Sequence, residues 1–252
     1  MLKTTYHFGT DRVVPPEQTW QRIQPLLQQC GITRCTSVTQ LDTLGIPTYC
    51  SIRPDGRLLQ VSNGKGLSDI AAKVSAAMEA LELYHAENPL THQLRRCSLN
   101  DLDTRLDEIL LPADIQGFHH TYFGNRYLLD WTAGHNLMTG ARVWAPASGI
   151  YFYCTPSLHN TSSNGLASGN HITEATLHAV YELIERDAMS QVFANGKLNE
   201  NIQTTSFEAE KSFEYQNNES NLQIISPVNS TYKPFFTAFT FSILSKEYCL
   251  IT

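Results

Sequence analysis

Apolar residues recur at helical spacing in three stretches of the chain, and turn residues punctuate each one. Trp20, Ile23 and Leu27 follow Pro15-Pro16 and predict a first helix that Gly31 stops. Pro25 lies inside that pattern and predicts a kink or a short, broken helix. A second helix is predicted from Ser68-Asp69 to about Glu87, with Ser68 as N-cap, Asp69 at the positive helix end and Pro89 beyond the stop. A third runs from Thr173 to Met189. Its Leu177, Val180, Tyr181 and Ile184 follow the i, i+3, i+4, i+7 rule and predict the buried face.

Between these helices the pattern shortens to runs rich in β-branched residues. Strands are predicted at residues 32–38, 46–52, 58–62, 127–131, 141–145, 150–155, 222–225 and 235–244. Asp42 to Gly45, Arg53-Pro54-Asp55-Gly56 and His135 to Gly140 read as turns. Asn63-Gly64-Lys65-Gly66 and Pro156 to Gly169 read as loops, and residues 99–111 as a short polar helix. No period of repeats runs along the chain. The strands are too irregularly placed for a βαβ series, so the expected fold class is α+β, with one domain over residues 1–252.

Composition narrows the function. At 252 residues with 42% hydrophobic and 17% charged positions, the chain is long enough and apolar enough for a sizeable core. A net charge of −6 argues against non-specific nucleic-acid binding. No apolar run reaches the roughly 18 residues of a membrane span, and the start lacks the apolar core of a secretory signal. A cytoplasmic protein is the expectation. The six cysteines include no C-x-x-C pair and no zinc-finger spacing, and so read as reduced, mostly buried thiols.

The chemistry lies on two acidic helices. Glu79 and Glu82 form a Glu-x-x-Glu pair on the second helix, with Ser75 one turn earlier on the same face. Glu182 and Glu185 form another on the third helix, and Glu174, His178, Glu182 and Glu185 fall within roughly an 80° arc. Each helix follows a glycine-containing segment, Gly64-Lys65-Gly66 or Gly165-Leu-Ala-Ser-Gly169-Asn170. Carboxylates on facing helices suit Mg²⁺, and glycine loops at helix N-termini suit phosphate. The Walker A spacing is absent. On spacing, a metal or nucleotide site stands level with solvated acidic faces.

Two long strings tip that balance. SVTQLDTLGIPTYCSIRPDGRLLQVSNGKGLSDIAAKVSAAMEALELYHAE, residues 37–87, resembles the N-terminal signature of the YcaO family, and SNGLASGNHITEATLHAVYELIERDA, residues 163–188, resembles its second signature. The Ser-Asn-Gly-Leu-Ala-Ser-Gly-Asn form is most similar to members that work with a TfuA-type partner. The resemblance implies a YcaO-type fold with an acidic Mg²⁺–ATP site. It implies ATP-dependent activation of a peptide backbone amide, the oxygen being phosphorylated and leaving as phosphate. A side-chain nucleophile of the substrate then gives an azoline, and external sulfide a thioamide.

By matching strings, the resemblance implies Glu79, Glu82, Glu174, Glu182 and Glu185 as metal ligands. It implies Lys65, Ser75, Asn170 and Arg186 in the nucleotide pocket, with Arg12 a weaker candidate. Implied partners are a peptide or protein substrate, a TfuA-like or leader-peptide-binding protein, and a second copy of the chain. No catalytic side chain is assigned. The family's third motif, a Glu-x-x-Gln-x-x-Arg helix followed by a proline-rich tail, is not found before Thr252. The chain is therefore expected to lack the family's C-terminal portion. The alternative is a truncated, non-catalytic nucleotide- or peptide-binding relative.

Overall fold

The computed structural model describes residues 12–102, 107–115, 117–119, 123–152, 154–160 and 162–194, and the backbone of four later strands. In chain order the elements are α1 (Pro16–Gln29), β1 (Arg34–Ser37), β2 (Thr48–Ile52), β3 (Val61–Lys65), α2 (Asp69–Glu87), β4 (Leu94–Cys97), β5 (Glu108–Ile109), β6 (Leu129–His135), β7 (Arg142–Pro146), β8 (Leu166–Gly169), α3 (Ile172–Ala194), β9 (Gln203–Ser206), β10 (Gln223–Ser226), β11 (Ala238–Ser242) and β12 (Tyr248–Ile251). The mixture of helices and sheets is the α+β class. Two compact units are formed, Met1–Glu182 with Phe236–Thr252, and Leu183–Phe235.

In the first unit β1, β2 and β3 make an antiparallel sheet in that order. One face is covered by α2, whose buried side is mostly alanine: Ala72, Ala76, Ala77 and Ala80. Small side chains let the sheet lie close to the helix backbone. Ile23 and Cys30 from α1 and its end, with Ile32, Ala77, Ala80 and Leu81, form one core cluster. A four-stranded sheet, ordered β4-β6-β7-β5, packs Trp131, Trp144, Leu129 and Leu158 into another. A third sheet has β11 between β8, to which it is parallel, and β12, to which it is antiparallel. The second unit contains the later part of α3 and the antiparallel pair β9–β10, with Gln203 opposite Ser226.

Several expectations are corrected. Since α1 continues to Gln29, the break expected at Pro25 is absent. That residue and Gln21, whose carbonyl would have received the missing N–H, are both exposed, so water can replace the lost bond. Of the helix expected at 99–111, residues 103–106 lie outside the described residues, and the described ones hold a 3₁₀ turn at Leu99–Asp101 and the short β5 instead. Strand β3 starts at Val61, not Leu58, because the N–H groups of Arg57 and Leu58 go to the Glu87 carboxylate. Among the described residues of 150–155, which leave out Tyr153, none belongs to a strand. The Tyr151 N–H returns to Ala147 O at 2.8 Å and the Phe152 N–H donates to Ala86 O at 2.9 Å, satisfying a carbonyl at the end of α2.

The largest correction concerns α3. Its predicted buried stripe is turned outward: Leu177, Tyr181 and Ile184 are 48%, 61% and 52% exposed. The buried positions are Glu174, Ala175, Ala179 and Leu183. The cysteines agree with expectation, since the five among the described residues are unpaired and buried or half-buried. Burial pushes the Cys30 thiol up to about 11 and the Cys154 thiol up to about 12. Neither is a thiolate nucleophile near neutral pH. Among the described residues, no helix is long and apolar enough to cross a membrane.

Candidate functional site

Most of each glycine segment is strand rather than loop. Asn63-Gly64-Lys65 is the end of β3, and Leu166 to Gly169 is β8, buried at all four positions. Their glycines serve close packing. A Cβ on Gly64 would sit 2.0 Å from the Ala76 nitrogen and 2.5 Å from the Ala72 carbonyl oxygen of α2. One on Gly169 would sit 2.8 Å from the Ala175 nitrogen and 3.2 Å from Glu174 Oε1 of α3. Each edge of backbone is thereby laid against a helix that carries the acids.

Glu82 is held from β8. The Ser168 hydroxyl donates to its Oε2 at 2.9 Å. Burial pushes its carboxyl up to about 8. Hydrogen bonds from the Ser168 hydroxyl and N–H lower it, and the negative charges of Glu182 and Glu79 raise it further. Among the described residues no cation enters that balance. Glu79 is also raised, first by burial, with the Asn63 N–H of β3 pulling it back. Glu182 accepts the Gly165 N–H at 2.8 Å. Glu79 and Glu182 thus both act on the charge of Glu82, with Glu79 steered by β3 and Glu82 and Glu182 by the segment that opens and contains β8.

Glu174 is held differently. The N–H and side-chain amide of Asn170 both donate to its Oε1, at 3.1 and 3.3 Å. The Val13 N–H donates to Oε2 at 2.8 Å, and Arg12 Nη1 pairs with Oε1 at 3.3 Å. At the third position of α3 this carboxylate also faces the positive end of the helix. Its cation is thus supplied by the chain itself. Asn170 is buried and its carbonyl accepts from the Thr19 hydroxyl at 3.1 Å, tying α1 to the same corner.

The remaining candidates are peripheral. Ser75 is exposed one turn before Glu79, and Lys65 is exposed at the end of β3 beside α2. Glu185 and Arg186 are exposed positions of α3 in the second unit. Sequence reasoning misses the donors Ser168, Gly165 and Asn63. All three lie in the two signature strings, but a string does not show which distant acid a donor meets.

Among the described residues no group of three or more His, Cys, Asp or Glu side chains is placed to hold a metal ion by itself. The carboxylates of Glu79, Glu82 and Glu182 are hard oxygen donors of the kind Mg²⁺ takes together with phosphate and water.

The family model for YcaO cyclodehydratase, ATP- and Mg2+-binding, matches residues 63–218, more than half of the chain. The chain belongs to the YcaO family. An uncharacterized protein of Mycobacterium tuberculosis is 39% identical over 195 residues, covering 75% of this YcaO chain and 44% of the relative. A protein of Rhizobium leguminosarum bv. trifolii described as lying in the tfuA 3′ region is 36% identical over 186 residues, covering 73% and 43%. The chain therefore spans less than half the length of these curated relatives. The structure of YcaO from Methanopyrus kandleri bound with AMPPCP and Mg2+ superposes with a TM-score of 0.66 at 25% identity, covering 83% of this chain and 52% of that one. A heterocyclase in complex with substrate and cofactor gives a TM-score of 0.63 at 22% identity, covering 84% and 32%, a likeness of fold.

Proposed function

We propose that this YcaO protein binds Mg²⁺–ATP at the carboxylates of Glu79 and Glu82 on α2 and Glu182 on α3 and uses it to activate a backbone amide of a peptide or protein. The observation that carries the reading is Glu82, a half-buried carboxyl that accepts the Ser168 hydroxyl at 2.9 Å, with Glu79 and Glu182 adding negative charge beside it and no cation among the described residues entering its balance. A divalent ion would neutralise that cluster. Kinship with a YcaO bound to AMPPCP and Mg2+ names its companion. Glu79, Glu82 and Glu182 are the proposed ligands. Glu185, Lys65, Ser75 and Arg186 join the proposal from the sequence resemblance. Glu174 and Asn170 hold the corner of α3 against α1 and the N-terminal segment, and reach the ion only by giving up hydrogen bonds they make here.

When bound, Mg²⁺–ATP supplies phosphorylation of the amide oxygen, which converts a poor leaving group into phosphate. The chain's own part is to hold carboxylates in place and keep them from competing donors. Kinship with a protein in a tfuA 3′ region supports thioamide formation from external sulfide, with a TfuA-like partner, over azoline formation. Calorimetry of the full chain with Mg²⁺ and a non-hydrolysable ATP analogue tests the reading. Binding that requires Mg²⁺ and is lost in Glu79→Ala, Glu82→Ala and Glu182→Ala is expected, and tight binding in all three variants sinks it.

A further inference from the structure

We propose that Ser168 is a positioning residue for Glu82, fixing the orientation in which its carboxylate meets the cation. The inference rests on the reading that Glu82 binds a divalent ion. Ser168 belongs to β8, whose four residues are all buried, and is itself 7% exposed. Its hydroxyl reaches 86 residues back along the chain to Glu82 Oε2, at 2.9 Å. Three residues earlier, the Gly165 N–H donates to Glu182 Oε2 at 2.8 Å. One short segment thus holds one oxygen of an acid on α2 and one of an acid on α3, and sets the two carboxylates relative to each other.

Holding Glu82 this way matters because a glutamate has three rotatable bonds, and a cation cannot order them without cost. Donors of this kind orient ligands, and their removal typically weakens metal affinity by about 10- to 100-fold. Glycine at the end of this strand allows the approach: Gly169 lets β8 lie against the first turn of α3 while the Ser168 hydroxyl meets α2 at Glu82.

The test uses Ser168→Thr and Ser168→Val in the full chain. These variants share a shape and differ by the hydroxyl, so a purely structural role moves both alike. Affinity for Mn²⁺ in the presence of AMPPCP is read by electron paramagnetic resonance, and folding by thermal melting without metal. Ser168→Ala serves if both β-branched variants melt below the assay temperature. The expected result is near wild-type affinity for Thr and a loss of about 10- to 100-fold for Val or Ala. In a Glu82→Ala background, which removes the acceptor, the difference between Thr and Val should vanish, as it must for two groups acting as a unit. Equal affinity in the Thr and Val variants overturns the role of Ser168 while leaving the site intact. Persistence of the full difference in Glu82→Ala overturns that role as well. A wild-type chain that binds neither Mn²⁺ nor nucleotide overturns the reading of the site, and this inference with it.

Discussion

Arg53 meets Glu87 in a buried fork, Nη1 to Oε2 and Nη2 to Oε1, both at 2.7 Å, with the two side chains 4% and 2% exposed. The same carboxylate accepts the N–H groups of Leu58 and Arg57 at 3.0 and 3.2 Å. One acid at the end of α2 therefore organises the connection between β2 and β3. Removing one partner leaves an uncompensated buried charge, so Glu87→Ala should cost about 3–5 kcal/mol, measured by urea denaturation of the full chain.

The same pair sets an acid limit. Burial raises the Glu87 carboxyl, but the Arg53 hydrogen bonds, the Leu58 and Arg57 N–H groups and the Arg53 charge outweigh it, and its pKa falls below the ordinary range. A carboxylate depressed in the folded state contributes stability that is complete above its unfolded value, about 4.3 for Glu. That contribution is lost as pH falls through the folded value. The urea midpoint should drop in acid below that window. The drop should be shallower in Glu87→Gln, and an identical profile in the two proteins contradicts the assignment.

Glu174 should matter to folding whether or not a ligand is bound. Glu174→Ala strips the acceptor from the Asn170 and Val13 N–H groups, and each donor left buried costs about 1–3 kcal/mol. Thermal melts in EDTA should show the loss, while Glu82→Gln, which keeps an acceptor for Ser168, melts near wild type. A Glu174→Ala protein that melts like wild type in EDTA removes the latch to Arg12, Val13 and Asn170.

Gly64 should tolerate no side chain. In Gly64→Ala the new Cβ would lie 2.0 Å from the backbone nitrogen of Ala76, so β3 must move off α2. We expect a loss of at least about 1–3 kcal/mol, the usual overpacking range. Chemical denaturation gives that number. Weakened Mg²⁺–nucleotide binding is expected beside it, because the Asn63 N–H moves away from Glu79. A protein with unchanged stability would show that β3 does not lie on α2 at this residue.

The rotation of α3 can be tested by a contrast. Leu177→Gln and Tyr181→Ser change exposed positions and should stay within about 0.5 kcal/mol of wild type. Ala175→Leu and Ala179→Leu enlarge fully buried positions and should cost about 1–3 kcal/mol each. The reverse order in denaturation midpoints would restore the face that periodicity predicts.

Helix α2 and the start of α3 are legible from sequence because their signals are local. Ser68 caps α2 through the Ala71 N–H, and the acidic pairs keep helical spacing wherever those helices pack. The two signature strings likewise point to the family and its acids, since identity of residues survives any error about their contacts. What β3 and β8 are cannot be read that way. A glycine that clears a turn and one that clears a neighbouring helix look the same in sequence, and the difference lies in Ala72, Ala76 and Ala175 on other elements. The face of α3 is hidden for a related reason. Periodicity finds the apolar stripe, but the partner decides which stripe is covered: Gly169 of β8 lies against Ala175, and Arg12 and Val13 meet Glu174. Sequence by itself determined which acids and which helices this protein has. Tertiary structure decided that Arg12 answers Glu174 while Glu82, fixed by Ser168 from a distant strand, is left beside Glu79 and Glu182, because charge balance depends on distances that chain order does not contain.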